Sequence, residues 1–185
     1  GAVRQCARRH AQPDAGGASA AALLHRAVGG GKSRRRQGKI GTVIHPQARP
    51  PVFSHIFIGT NHFDRALAFY TALMDALGIQ ARFCDPARPW AGWQSSPDPR
   101  PLLLIGRPFD GQPHVPGNGH MAAFLARSRA VVDQAHATAL AHGGRCDGPP
   151  GLRPQYHPHY YGAYLRDPDG NKLCVVCHAA EPDPT

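Results

Sequence analysis

The side chains best suited to chemistry gather late in the chain. The stretch Gly151-Leu152-Arg153-Pro154-Gln155-Tyr156-His157-Pro158-His159-Tyr160-Tyr161 mixes cation, imidazole and phenol. Polar loops of this kind, held on a rigid scaffold, commonly serve ligands. His157 is a candidate general base near neutral pH, with Tyr156 as its catalytic companion. Arg153, and Arg107 from an earlier loop, are candidates to clamp a carboxylate or phosphate. His159 and Tyr161 are further candidates for ligand contact, Tyr161 offering a donor on a flat apolar ring. Trp90 and Trp93 are candidates for the pocket wall, Trp93 the one counted among the binding residues, with a place in the core as the alternative. Pro154 and Pro158 allow a second reading, in which the same loop is a stiffened cover over an apolar sheet edge.

A separate imidazole, His55, is a further catalytic candidate and sits in an apolar run, Ser54-His55-Ile56-Phe57-Ile58-Gly59. Five cysteines are scattered along the chain, at positions 6, 84, 146, 174 and 177. Cys174-x-x-Cys177 has the spacing of a zinc or redox pair. On a strand, however, residues three apart point to opposite faces, so the two thiols do not converge. Reduced cysteines and a cytoplasmic location are the expectation.

The elements that must position these groups follow from pattern. Val52–Gly59 reads as a strand. Phe63, Leu67, Tyr70, Met74 and Leu77 recur on one helical face, with Asn61 or Asp64 as cap and Gly78 as stop. Strands are expected over Ile79–Cys84, Trp90–Ser95 and Pro101–Ile105, followed by a Pro/Gly loop over Arg107–Asn118. The plan then restarts: a strand over His120–Ala126, a helix capped by Ser128 running to about His142, and strands around Arg145, over Tyr160–Arg166 and over Lys172–Cys177. Phe63-Asp64-Arg65-Ala66-Leu67 and Arg127-Ser128-Arg129-Ala130-Val131 open the two helices alike, about 64 residues apart. Between the last two strands, Asp167-Pro168-Asp169-Gly170-Asn171 is a hairpin signal. Proline presets φ, glycine takes a positive φ, and the Asx side chains bond nearby backbone.

Charge divides the chain. The formal net charge is +9 over 185 residues, and residues 1–50 hold ten Lys/Arg against one acid, so residues 52–185 are neutral on balance. This excludes a nucleic-acid reading of the domain itself. The domain expectation is a basic flexible tail over 1–51, a folded domain over 52–180 with modules at about 52–114 and 118–180, and a short C-terminal tail over 181–185. Because the domain-like sequence begins abruptly at Val52, residues 1–51 are also readable as upstream sequence ahead of an alternative start. No apolar run reaches the length of a membrane span, and no secretory signal is visible.

The turn Arg166-Asp167-Pro168-Asp169-Gly170-Asn171 with its following apolar strand resembles the close of the vicinal-oxygen-chelate superfamily. That superfamily embraces glyoxalase I, extradiol dioxygenases, fosfomycin-resistance enzymes and bleomycin-binding proteins. Arg107-Pro108-Phe109-Asp110-Gly111, Tyr156-His157-Pro158, Tyr160-Tyr161-Gly162-Ala163 and Gly170-Asn171-Lys172-Leu173-Cys174 together are similar to a subgroup loosely labelled lactoylglutathione-lyase-like. The resemblance implies an α+β fold of two tandem βαβββ modules, a curved mixed sheet around a concave pocket, and pairing into a homodimer.

In that family each module's first and last strands supply a metal ligand. His55 matches the first of these positions. The last position, usually glutamate, is Cys174, and the first module's last strand is Leu102-Leu103-Leu104-Ile105. Aligning Phe124 with Ile58 sets Met121 opposite His55, so His120 is one residue out of phase and needs a bulge to serve. The resemblance therefore implies a site whose metal has been lost. The alternative is a soft zinc site built from His55, Cys174 and His120, with His157 or His159 as substitutes for the last. The expected function is an enzyme of small-molecule metabolism, lyase-like, with no nucleic-acid or membrane partner. The alternative is a metal-free binding protein of the bleomycin-resistance type.

Overall fold

The computed structural model describes residues 52–94 and 100–181. The tail over 1–51, the end of the third strand at Ser95 and residues 182–185 lie outside the described residues. Ten elements follow in order: β1 (His55–Gly59), α1 (Phe63–Leu77), β2 (Gln80–Asp85), β3 (Trp90–Gln94), β4 (Leu102–Gly106), β5 (Ala122–Leu125), α2 (Arg129–Ala141), β6 (Arg145–Leu152), β7 (Tyr161–Arg166) and β8 (Lys172–Cys177). They form the two expected βαβββ modules. Each builds its own four-stranded mixed sheet, ordered β1-β4-β3-β2 and β5-β8-β7-β6.

The helices form where the apolar spacing predicts. Phe63, Leu67, Tyr70 and Met74 line the buried face of α1, and Gly78 ends it in the left-handed conformation. Ser128 caps α2 by accepting from the Val131 N–H. The cap expected for α1 is absent. His62 holds that position without a side-chain bond, because the Asn61 amide is engaged elsewhere: it accepts from the His114 N–H at 2.8 Å and donates to the His114 carbonyl at 3.0 Å. A contact across 53 residues outcompetes the local one.

Period-two alternation sorts each sheet into two faces. Ile58, Trp93, Leu103 and Ile105 of the first sheet, and Ala163, Leu165, Leu173, Val175 and Cys177 of the second, join both helices in one core. The helices pack against each other as well as on their own sheets. A Cβ on Gly144, at the entry to β6, would come within 2.8 Å of the Phe69 ring on α1, which shows how closely the modules approach. The opposite faces carry no helix among the described residues. Register assigns His55, Phe57, Leu102 and Leu104 to that face in the first sheet, and Tyr164, Cys174, Val176 and Lys172 in the second.

The Asp167–Asn171 turn ties the modules together. Gly170 takes φ 94°, the left-handed value that favours glycine. Asp167 is buried, yet its carboxylate accepts four hydrogen bonds: from the N–H groups of Asp169 and Asn171, the Asn171 amide and the Tyr70 hydroxyl. Asp169 accepts from Thr60 at 2.7 Å and Arg65 at 2.9 Å, and Asn171 donates to the Gly59 carbonyl. The turn is thus a hairpin, as expected, and also the anchor for β1 and α1 of the other module.

No helix among the described residues is long and apolar enough to cross a membrane. The expectation of reduced cysteines is corrected at Cys84, which is disulfide-bonded; Cys146, Cys174 and Cys177 are free. The spacing of the cysteines gave no sign of that bond.

Candidate functional site

The helix-free face of the second sheet carries the richest group of polar side chains. β7 brings Tyr164, and the residue before it, Tyr160, to that face. β8 brings Lys172 and Cys174, and its parity continues to His178. The loop after β6 folds back over them, and a cavity of about 590 Å³ opens between, lined by Met121, Asp147, Tyr156, His157, Tyr160, Tyr164, Lys172 and His178. This is an ordinary size for a small-molecule pocket. The Tyr156 and Tyr160 rings lie 4.9 Å apart, and the His157 ring meets Tyr160 edge-on at 5.6 Å.

Its electrostatics are local. Lys172 reaches Asp147 at 3.1 Å, and this bond holds the Asp147 carboxyl below the usual carboxylate range. The Tyr160 hydroxyl lies 3.6 Å from the Cys174 sulfur and 3.5 Å from the Tyr164 hydroxyl. Burial, with both of those contacts, pushes the Tyr160 phenol well above its ordinary value. Burial also raises the Cys174 thiol, against the smaller lowering effect of the Tyr160 bond. Cys174 is therefore a covered, protonated group beneath the tyrosines, and a thiol must lose its proton to bind metal.

The first sheet holds a second cavity of about 620 Å³, walled by Phe57, Trp90, Pro108, Phe109 and His114, with Arg88 and Arg107 at its rim. Arg88 is engaged by Asp85 at 2.9 Å.

Of the residues expected to form the site, His157 and Tyr156 line the first cavity. His159 stands beside it and contributes its backbone N–H to His157 Nδ1. Arg153 spends its guanidinium on the carbonyls of Leu152 and Pro149 and lies over the Tyr164 ring at 5.7 Å, so it braces the loop. Arg107 belongs to the other cavity. Tyr161 faces α2, where its hydroxyl donates to Asp133 and Arg129 covers its ring; Tyr160 takes the cavity position instead. Trp93 is 2 % exposed in the core, and Trp90, of opposite parity, lines the wall. His55 lies on the exposed start of β1, next to the Ser54 hydroxyl. His120 lines a cleft between the modules with Ile56, Met121 and Asn171.

His55 is on β1, Cys174 on β8, and His120 in the loop before β5, because the strand expected from His120 begins only at Ala122. Among the described residues no three His, Cys, Asp or Glu side chains are grouped to hold a metal ion. The pairings Phe57 with Leu104 and Ala123 with Cys174 are equivalent between modules. The four positions the family would use therefore hold His55, Leu104, Met121 and Cys174. One imidazole, an alkyl group, a thioether and a buried protonated thiol do not fit a hard octahedral cation.

Sequence reasoning missed His178, Lys172, Asp147, Met121 and Tyr160. Lys172, Cys174, Val176 and His178 alternate along one face of β8, and that periodicity was the signal available.

Two tandem βαβββ modules with helix-free faces bearing cavities define a fold class shared by many small-molecule proteins. The sequence profile of the Glyoxalase/Bleomycin resistance protein/Dioxygenase superfamily matches residues 52–175, and the chain belongs to that superfamily. A glyoxalase/bleomycin resistance protein from Albidiferax ferrireducens is 37 % identical, with a TM-score of 0.62 over 69 % of this chain and 99 % of that one. A family enzyme from Burkholderia phytofirmans, 18 % identical over 68 % and 98 % of the two chains, shares the fold at a TM-score of 0.52. A glyoxalase-related enzyme from Fulvimarina pelagi, 20 % identical over 71 % and 94 %, does so at 0.51. None of the curated proteins compared matches the chain.

Proposed function

We propose that this chain is an enzyme of small-molecule metabolism whose site is the tyrosine–histidine cavity of the second sheet. The observation that carries this reading is the convergence of two imidazoles, three phenols and a lysine on one pocket of ligand size. Titratable groups gathered in a cleft are the usual equipment for proton transfer. The second reading, a metal-free binding protein of the bleomycin-resistance type, is favoured by a fully buried cysteine, Cys174, at the position where the family would supply a carboxylate. Both readings dispense with a family-type metal, and turnover separates them. Protein purified without added metal is expected to carry no stoichiometric metal by elemental analysis. Cys174→Ser is expected to keep the same fold and the same affinity for a flat anionic probe such as benzoate. One equivalent of zinc in the wild type, lost in Cys174→Ser, would overturn this and establish the soft site instead.

The same faces point to a homodimer. Phe57, Trp90, Met121 and Leu125 are large apolar side chains left exposed there, and Phe57 is 47 % and Leu125 70 % accessible. Such exposure marks surfaces that associate. A second copy is the occupant we favour, since it would present the same exposed apolar side chains for mutual burial. Light scattering at micromolar concentration is expected to return twice the chain mass; a monomer counts against the assembly.

A further inference from the structure

The His157 and His178 rings meet through Nε2 and Nδ1, 2.6 Å apart. Their centroids are 4.9 Å apart and their planes differ by 27°. The centroid separation amounts to the N···N gap plus two ring radii. The rings therefore meet edge to edge, in line, and do not stack face to face. Such a contact needs one proton between the nitrogens, because two lone pairs or two N–H groups would repel.

The other side of the loop decides which ring carries it. The His159 backbone N–H donates to His157 Nδ1 at 3.2 Å. That nitrogen must hold a lone pair, so the proton of the neutral ring is on Nε2. His157 therefore donates to His178 Nδ1, and the proton of neutral His178 lies on Nε2. Among the described residues no nitrogen, oxygen or sulfur atom accepts from that Nε2–H, and the Tyr160 ring lies edge-on to His178 at 5.2 Å. Both nitrogens of His157 are spent, one on His159 and one on His178. It has no free lone pair with which to take a proton from a ligand, so the general-base role expected for it is not one its bonds allow.

We propose that His178 is the residue that touches the ligand, through Nε2–H, and that His157 is the positioning residue that fixes its tautomer. The ligand this arrangement selects is a flat molecule presenting a carbonyl or carboxylate oxygen. Tyr156 and Tyr160 offer aromatic surface for a planar body. A free imidazole N–H can only donate, so it favours an acceptor oxygen and disfavours a cationic head. Lys172, six residues earlier in the chain, lines the same cavity and is bonded to Asp147. This rests on reading the cavity as a small-molecule site, and the two are separable by experiment.

Nitrogen-15 spectra of the imidazoles in ligand-free protein are expected to show both His157 and His178 as Nε2–H tautomers. His157→Ala is expected to leave His178 as a tautomer mixture. His157→Gln, whose amide accepts from His159 and donates to His178, is expected to restore the single form, an outcome that loss of packing alone would not give. In titrations, benzoate is expected to bind and benzylamine not to. His178→Phe is expected to weaken benzoate roughly tenfold, the value of one hydrogen bond to a charged group. His178 found as the Nδ1–H tautomer, or benzoate bound equally well by His178→Phe, overturns the inference. Wild type that shows both expected tautomers yet ignores benzoate overturns the cavity reading and the ligand class, and leaves the histidine assignment standing.

Discussion

Asp167→Ala is expected to cost roughly 3–5 kcal/mol, enough to bring a domain of ordinary stability close to unfolding. The reason is the number of donors it would orphan. One carboxylate oxygen serves the Asp169 and Asn171 N–H groups, and the other serves the Asn171 amide and the Tyr70 hydroxyl. Tyr70 is fully buried, so its hydroxyl has no water to turn to. Asp167→Asn keeps an oxygen for the two backbone donors and should lose about half as much. Urea unfolding curves measure both, and a loss under about 1 kcal/mol for the alanine variant would show that the turn does not anchor the modules. The same bond sets an alkaline limit. Burial, then the Asp167 charge and hydrogen bond, raises the Tyr70 phenol well above its ordinary 10.0. A folded-state value above the unfolded one means that this contribution is intact below pH 10 and falls as pH climbs beyond it. Tyr70→Phe should flatten that alkaline slope.

The helices were legible because their information is local. The apolar spacing of α1 and the Ser128 cap of α2 lie within a few residues of what they determine. The α1 cap was not legible, because Asn61 answers to the backbone of His114, which no local pattern connects to it. Asp167-Pro168-Asp169-Gly170-Asn171 could be read as a turn from its own residues, but its bonds to Tyr70, Thr60 and Arg65 arise only once the modules pack. The site suffered from parity. Tyr160 and Tyr161 are neighbours, and a one-residue choice of phase sends one into the cavity and the other onto α2. β6 made that phase hard to set. It runs through Pro149 and Pro150 as an edge strand with irregular register to β7, where proline is tolerated, so the presumed loop begins later than its composition suggests. His178 lay just past an apolar strand and carried no motif of its own. Only the alternation from Lys172 onward pointed to it.

Parity also yields the second large effect, on a residue first considered for the pocket wall. Trp93→Ala is expected to cost about 3–5 kcal/mol, the usual loss for truncating a buried aromatic side chain. Trp93 is 2 % exposed, with its ring centroid 6.2 Å from that of Tyr70, and its strand neighbours Ala81 and Leu103 hold it on the helix side of the sheet. The cavity left behind would lie between α1 and the first sheet, where the surrounding core side chains are held in place by both layers and relax only partly. Trp90 sits three residues earlier on the same strand and so presents the opposite face. It is 36 % exposed, touches Phe83 at a centroid distance of 4.5 Å and walls the first-sheet cavity. Trp90→Ala should therefore cost only about 1 kcal/mol, because much of its surface is already in contact with water. Thermal or urea unfolding of the two variants side by side tests the assignment. Equal losses, or a larger loss for Trp90, would mean that the register of β3 against β4 is shifted by one residue and that the faces of the first sheet are exchanged.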